Sequence, residues 1–109
     1  MKARRKGKGF QTGLLRRFAS RKDAIMDIPD GWTRAEDGLA LEKSFRFGDF
    51  SESFAFLTRV ALHAEKVDHH PEFTSVWNRV DFRLTSHDAG GVTIRDVALA
   101  RAIDGLAGA

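Results

Sequence analysis

The chain has 109 residues with an apolar fraction of 42%, enough for one domain with its own core and too few for two. It contains no cysteine, which excludes disulfides, zinc–thiolate sites and thiol nucleophiles. Residues 1–22 hold nine Lys and Arg and no acid, whereas residues 23–109 hold nine bases against fifteen acids, a formal charge of −6. No apolar run approaches the roughly 20 residues of a membrane helix, and we find no secretory signal, so we expect a cytoplasmic protein without membrane contact.

Residues 1–20 are predicted to form a basic arm attached to a domain at residues 21–109. Glycines in the arm weaken any long helix, although its apolar residues fall on one helical face and allow a short amphipathic one: Phe10, Leu14, Leu15 and Phe18. Three interpretations stay open: a solvated disordered arm or an early start codon, an organelle transit peptide, and a nucleic-acid-binding tail. Nucleic acid ranks last because every basic tail carries the Lys and Arg that phosphates attract.

The first half of the domain is predicted to be a short helix, a hairpin and a long helix. The short helix covers 20–27, and residues 32–35 pair with a strand at 39–47, where apolar residues alternate. A capping box at Asp49 and Glu52 starts a helix that runs to about Val67. Its apolar face is predicted from spacings of three and four to comprise Phe50, Phe54, Leu57, Ala61 and Ala64.

The second half is predicted to complete an α+β fold. A strand covers 76–84 or 85, a turn at Gly90-Gly91 precedes a brief strand at Val92, and Thr93 with Asp96 starts a helix to about Leu106. The result is a two-layer domain with a β-β-α-β-β-α core, in which helices pack on one face of an antiparallel sheet. The uncovered face and sheet edges predict a homo-oligomer.

Three of the four histidines lie at the ends of predicted elements, where functional sites are usually built. His69 and His70 follow the long helix and precede Pro71, and His87 follows the strand at 76–85. Neighbours in an extended segment point to opposite sides, so His69 and His70 should have different roles. The same divergence, with no H-E-x-x-H motif, argues against a metal site. His63, inside the helix, is assigned to solvent, and the absence of nucleophile-elbow and phosphate-loop motifs excludes covalent and nucleotide chemistry.

The pattern E-K-x-x-H-H-P at residues 65–71, followed by Trp77, His87 and Asp96, resembles the signature of the pterin-4a-carbinolamine dehydratase family. Further similar segments are Gly31-Trp32, Phe45-Arg46-Phe47, Asp49-Phe50 and Thr58-Arg59-Val60-Ala61. The resemblance covers most of the domain and implies a small α+β fold assembled as a homodimer or homotetramer. It also implies a dehydratase, without metal or cofactor, acting on a 4a-hydroxytetrahydropterin in tetrahydrobiopterin recycling.

Carried over by position, the catalytic residues implied by the resemblance are His69, His70 and His87. The implied substrate-binding and supporting positions are Glu65, Asp68, Phe73, Thr85, Ser86, Asp88, Arg95 and Asp96. Phe73 stands where many members have Trp; it keeps a stacking ring and loses an indole donor. We expect His69 and His87 to exchange protons with the substrate, His70 to hold the pterin ring and Asp96 to orient one histidine. The alternative is a non-enzymatic dimerisation partner or transcriptional coactivator with the same fold.

Overall fold

A computed structural model describes residues 27–108. Its elements are β1 (Thr33–Arg34), β2 (Leu41–Arg46), α1 (Phe50–Val67), β3 (Glu72–Val76), β4 (Arg79–Leu84), a 3-10 turn (His87–Ala89) and α2 (Ile94–Leu106). The strands form one antiparallel sheet in the order β1-β2-β4-β3. The α+β prediction is confirmed, while the basic arm and residues 20–26 of the predicted helix at 20–27 lie outside the described residues, and Asp27 is in no helix or strand. Within residues 27–108, neither helix is long and apolar enough to cross a membrane.

The register of the central strands places their apolar side chains on one face of the sheet. Leu41 of β2 faces Leu84 of β4, and Phe45 faces Val80. The core formed between this face and the two helices includes Trp32, Leu41, Phe56, Val80, Phe82, Leu84 and Ile103. Burying one such Leu, Val or Phe fully contributes about 1.5–3 kcal/mol, so this layer supplies most of the driving force for folding. The opposite face is polar, with Glu42, Ser44, Asp81 and Arg83 exposed or half-buried.

Helix α1 begins where it was predicted but buries a different face. The Asp49 carboxylate accepts from the Glu52 amide at 2.8 Å, and Glu52 accepts from the Gly48 amide at 2.8 Å. The buried residues are Ser53, Phe56, Leu57, Val60 and Ala64, so the predicted face was wrong for Phe50, Phe54 and Ala61, which are exposed. Both stripes recur at spacings of three and four. Periodicity cannot choose between them, whereas the ring of Phe56 packs against Phe45, Phe47 and Phe82.

The strand predicted at 76–85 was wrong in its first part, because the chain reverses at Trp77 and Asn78. Trp77 adopts a positive φ of 49°, and its carbonyl accepts from the hydroxyl of Ser53 at 2.9 Å. The Asn78 side chain donates to the carbonyl of Phe47 at 2.9 Å. These side-chain bonds hold a tight turn that alternation of apolar residues does not encode. The turn creates the hairpin β3–β4 and leaves β3 at one end of the sheet.

Candidate active site

A left-handed residue at the end of α1 separates the two adjacent histidines. Asp68 has a φ of 57°, and its amide closes the helix on the carbonyls of Ala64 and Glu65. The amide of His69 also bonds the Ala64 carbonyl, at 3.1 Å. The helix therefore ends just before the two histidines. The side chain of His69 is 11% exposed, whereas that of His70 is 55% exposed. The structure gives the two imidazoles different environments.

The buried carboxylate of Asp96 holds the ring of His69. Nε2 of His69 lies 2.7 Å from Oδ1 of Asp96, a side chain with no exposed surface. The other oxygen, Oδ2, accepts from the hydroxyl of Ser86 at 2.8 Å and from the amide of Thr93 at 2.9 Å. Thr93 and Asp96 form the capping box of α2, as predicted. Because a carboxylate only accepts hydrogen bonds, Nε2 of His69 carries the proton, and Nδ1 is the nitrogen left for another group.

All three predicted catalytic histidines border one hollow of about 230 Å³. Its lining comprises Asp68, His69, His70, Thr85, Ser86, His87 and Asp88. The end of α1 supplies one wall, and the segment between β4 and α2 supplies the other. His70 lies 3.0 Å from the carboxylate of Glu65, and His87, 81% exposed, lies 3.4 Å from that of Glu72. Each of the three imidazoles thus has a carboxylate neighbour.

Comparison with known proteins shows which family the chain is similar to. The family model described as pterin 4 alpha carbinolamine dehydratase matches residues 17–106. A relative from Rhizorhabdus wittichii that bears this family name is 59% identical over 87 residues, which cover 80% of this chain and 89% of the relative. One from Novosphingobium aromaticivorans, with the same name, is 51% identical over 79% of this chain and 88% of its own. The chain belongs to the pterin-4a-carbinolamine dehydratase family.

Two solved structures of members or relatives of this dehydratase family are similar in fold to this chain. A transcriptional coactivator/pterin dehydratase from Brucella melitensis superposes with a TM-score of 0.70 at 45% identity, covering 72% of this chain and 83% of that one. A pterin dehydratase-like protein, described as a RuBisCO assembly factor in the alpha-carboxysome, gives 0.63 at 28% identity and covers 72% and 92%. The fold of the family thus occurs in proteins that are described with different roles.

Within this dehydratase-family chain, the predicted binding positions divide into four groups. Asp68, Thr85, Ser86 and Asp88 line the histidine hollow, while Glu65 and Asp96 contact histidines from outside it. Arg95 borders a separate hollow of about 130 Å³, together with His63 and His69. Phe73, on β3, is half-exposed and borders a groove over the sheet instead of the histidine hollow. Phe73 therefore lies outside the lining of the histidine hollow.

A salt bridge fixes the charge on one rim of the hollow. Nη2 of Arg95 donates to Asp88 Oδ1 at 2.6 Å. This hydrogen bond holds the pKa of Asp88 below its ordinary value of 3.8, and the same bond raises the pKa of Arg95. Asp88 therefore remains a carboxylate throughout the neutral range. Among residues 27–108, no three His, Asp or Glu side chains are grouped so that they could hold a metal ion.

Sequence reasoning missed Glu72 as a site residue. It directly follows Pro71, but the histidine it approaches, His87, is fifteen positions further along the chain. The link is made by the β3–β4 hairpin, which also pairs Glu72 with Arg83, at 3.7 Å between Oε1 and Nε. Recognising Asn78 as a turn residue would have revealed the hairpin and placed Glu72 beside the strand that leads to His87.

Proposed function

We propose that the protein is a 4a-hydroxytetrahydropterin dehydratase that forms quinonoid dihydropterin and water by histidine acid/base catalysis, in tetrahydrobiopterin recycling. The observation that carries the proposal is the convergence of His69, His70 and His87 on one hollow of about 230 Å³. Family membership supports the same chemistry. The reaction needs one proton delivered to the C4a hydroxyl and one removed from the ring system, and imidazoles do both near neutral pH.

His69 suits the role of general base. Asp96 accepts the proton on Nε2, so the neutral ring presents its lone pair at Nδ1. The buried carboxylate also stabilises the imidazolium that forms when Nδ1 takes a proton. In this scheme, Nδ1 removes the proton from a ring nitrogen of the substrate as the C4a–O bond breaks.

His87 then acts as the general acid. It borders the same hollow from the segment after β4, and its ring is largely exposed, so it can regain a proton from bulk water between turnovers. Its proton and the departing hydroxyl leave together as water, while the electrons of the substrate nitrogen form the new double bond. His70, with Nε2 tied to Glu65 outside the hollow, holds the pterin ring.

Stopped-flow dehydration of synthetic 4a-hydroxytetrahydropterin tests the proposal. We expect His69→Ala and His87→Ala each to lower kcat by about 10² to 10⁴, the usual range for a general acid or base. His63→Ala is the matched control, because His63 is a half-buried histidine of α1 outside the histidine hollow. A His69→Ala/His87→Ala double variant with wild-type activity would refute the assignment.

A second candidate function is protein association through α1, either in homo-oligomers or in a non-enzymatic coactivator-like role. The specific observation is a pair of half-exposed rings, Phe50 and Phe54, with centroids 5.6 Å apart. Large apolar side chains exposed side by side on a helix are typical of a surface that packs against another protein. The two structural relatives, one described as a coactivator and one as an assembly factor, favour the same idea. Sedimentation velocity of wild type and Phe54→Ser tests it, since we expect self-association to weaken while dehydration continues.

A further inference from the structure

The hydroxyl of Ser86 lies in the middle of a buried chain of hydrogen bonds behind the histidine hollow. Ser86 is 1% exposed. Its Oγ lies 2.8 Å from Asp96 Oδ2 and 2.8 Å from Thr93 Oγ1. Although Ser86 contributes to the lining of the hollow, its side-chain oxygen is therefore bonded to protein groups on two sides.

The direction of each hydrogen bond in this chain follows from what its members can donate. The carboxylate of Asp96 only accepts, so the Ser86 hydroxyl donates to it. Thr93 Oγ1 accepts from the amide of Arg95 at 3.2 Å, which leaves its own proton for Ser86. The order is Thr93 to Ser86 to Asp96, with His69 donating to the other carboxylate oxygen. No Ser86 hydrogen is left to donate to a substrate.

We infer that Ser86 is a positioning residue that fixes the Asp96 carboxylate and, through it, the tautomer and orientation of His69. The inference rests on the proposed dehydratase function and assigns Ser86 a different role from the substrate contact expected by position. A carboxylate with three donors arranged around it has one orientation, and the imidazole that pairs with it is held by the same geometry.

The backbone of Ser86 also holds the segment that carries His87. Its amide donates to the carbonyl of Gly91 at 3.0 Å, and its carbonyl accepts from the amide of Gly91 at 3.3 Å. These two bonds close the segment 86–91, which carries His87. One residue therefore anchors the base through its side chain and the loop of the acid through its backbone.

The test compares Ser86→Ala with Ser53→Ala. Ser53 is the matched control because it is also buried, also hydrogen-bonded through its hydroxyl, and located at the start of α1 next to Trp77. We expect Ser86→Ala to lower kcat on the order of tenfold and to leave KM within about twofold. Ser53→Ala should leave both constants unchanged while lowering the melting temperature to a similar degree. Ser86→Thr, which restores the hydroxyl, should recover most of the lost kcat.

A second measurement makes the outcome independent of catalysis. Long-range ¹H–¹⁵N spectra at pH 8.5, where an ordinary imidazole is neutral, report which ring nitrogen of His69 carries the proton. We expect a single Nε2–H tautomer in wild type and a mixture of tautomers in Ser86→Ala, because the Asp96 carboxylate can rotate away from Nε2 once the Ser86 hydroxyl no longer holds Oδ2. A wild-type kcat with a single tautomer in Ser86→Ala would overturn the inference, as would an increase in KM alone, the mark of a lost substrate contact.

Folding and function can be separated in this experiment. If Ser86→Ala does not fold, Ser86→Cys keeps the volume and supplies only a weak donor, and the same mixture of tautomers is expected; a single tautomer there also overturns the inference. If wild type shows no dehydratase activity, the proposed function fails. The spectra of His69 still decide whether Ser86 positions the imidazole.

Discussion

Replacing Asp96 by Asn tests the most constrained part of the site. The side chain accepts from His69 Nε2, Ser86 Oγ and the amide of Thr93, and no part of it reaches solvent. Asn keeps the size and one accepting oxygen, but its other terminal atom is an NH₂ group that only donates. The Thr93 amide can only donate, so the Asn oxygen must face Thr93 and Ser86. The NH₂ group then faces His69 and forces Nε2 to accept.

This change moves the His69 proton to Nδ1, the nitrogen that we assign as the base. A base with its proton on the reacting nitrogen loses the contribution of general base catalysis, about 10² to 10⁴ in kcat. At 1.36 kcal/mol per decade, this corresponds to about 2.7–5.4 kcal/mol of transition-state stabilisation. The free energy of unfolding should fall by less, about 1–3 kcal/mol, because two of the three hydrogen bonds persist and a buried charge is removed. The catalytic loss should therefore exceed the loss of stability.

The assay is single-turnover dehydration of 4a-hydroxytetrahydropterin together with urea unfolding. Asp104→Asn is the control, because Asp104 lies on the same helix and also accepts from two side chains, Trp32 at 3.1 Å and Lys43 at 2.8 Å, away from the hollow. We expect that control to lose stability and keep its kcat. A kcat for Asp96→Asn within threefold of wild type, with the protein folded, would show that the proton on Nδ1 is immaterial and that His69 is not the base.

Two further predictions concern the Asp88–Arg95 salt bridge and the face that α1 buries. Arg95→Gln should return the pKa of Asp88 toward 3.8, measured by carboxyl ¹³C NMR titration, because the Arg95 hydrogen bond is the main cause of its lowering. Because the pKa of Asp88 is lowered in the folded protein, this bond stabilises the fold above about pH 3.8, and that stabilisation is lost as the pH falls through the folded-state pKa. The free energy of unfolding of the variant should therefore depend less on pH in the acid range. An unchanged Asp88 titration would contradict this. Phe56→Ala should lower the free energy of unfolding by about 3–5 kcal/mol, because the ring is completely buried, whereas the half-exposed Phe54→Ala should change it by less than about 1 kcal/mol in the monomer. Similar losses for the two Phe variants in urea unfolding would show that the burial assigned to α1 is wrong.

Local sequence signals were sufficient for most of the fold. Asp49 and Glu52 marked the start of α1 because caps are built from residues three apart, and Thr93 with Asp96 marked α2 for the same reason. Two features escaped because contacts distant along the chain decide them. The face that α1 buries depends on rings from β2 and β4, and the turn at Trp77 depends on Ser53 and Asn78, which bond groups on other elements. The spacing of apolar residues along the sequence reveals neither contact.

The histidines of the candidate site were predicted from their positions at element ends and from the family pattern. Not all of their hydrogen-bond partners could be predicted in this way. Thr93 looked like an ordinary helix cap, and Ser86 like a residue of the pocket wall. The structure joins both to Asp96, and hence to His69, which lies 27 positions before Asp96. Phe73, which its position in the motif suggested as a pocket residue, borders the groove over the sheet, and its role in binding stays a prediction.

In the proposed mechanism, the different burial of His69 and His87 sets an order for the catalytic cycle. His87 is open to water and can be reprotonated whether or not product is bound, whereas His69 is almost enclosed and has Nε2 occupied by Asp96. In that mechanism, the proton that His69 gains at Nδ1 leaves again from Nδ1, where the product lies until it is released. Regeneration of the base then follows product release, so a tightly held product would delay it while leaving the acid unaffected. An exposed acid and a tethered base thus give the two imidazoles distinct roles without any difference in residue type.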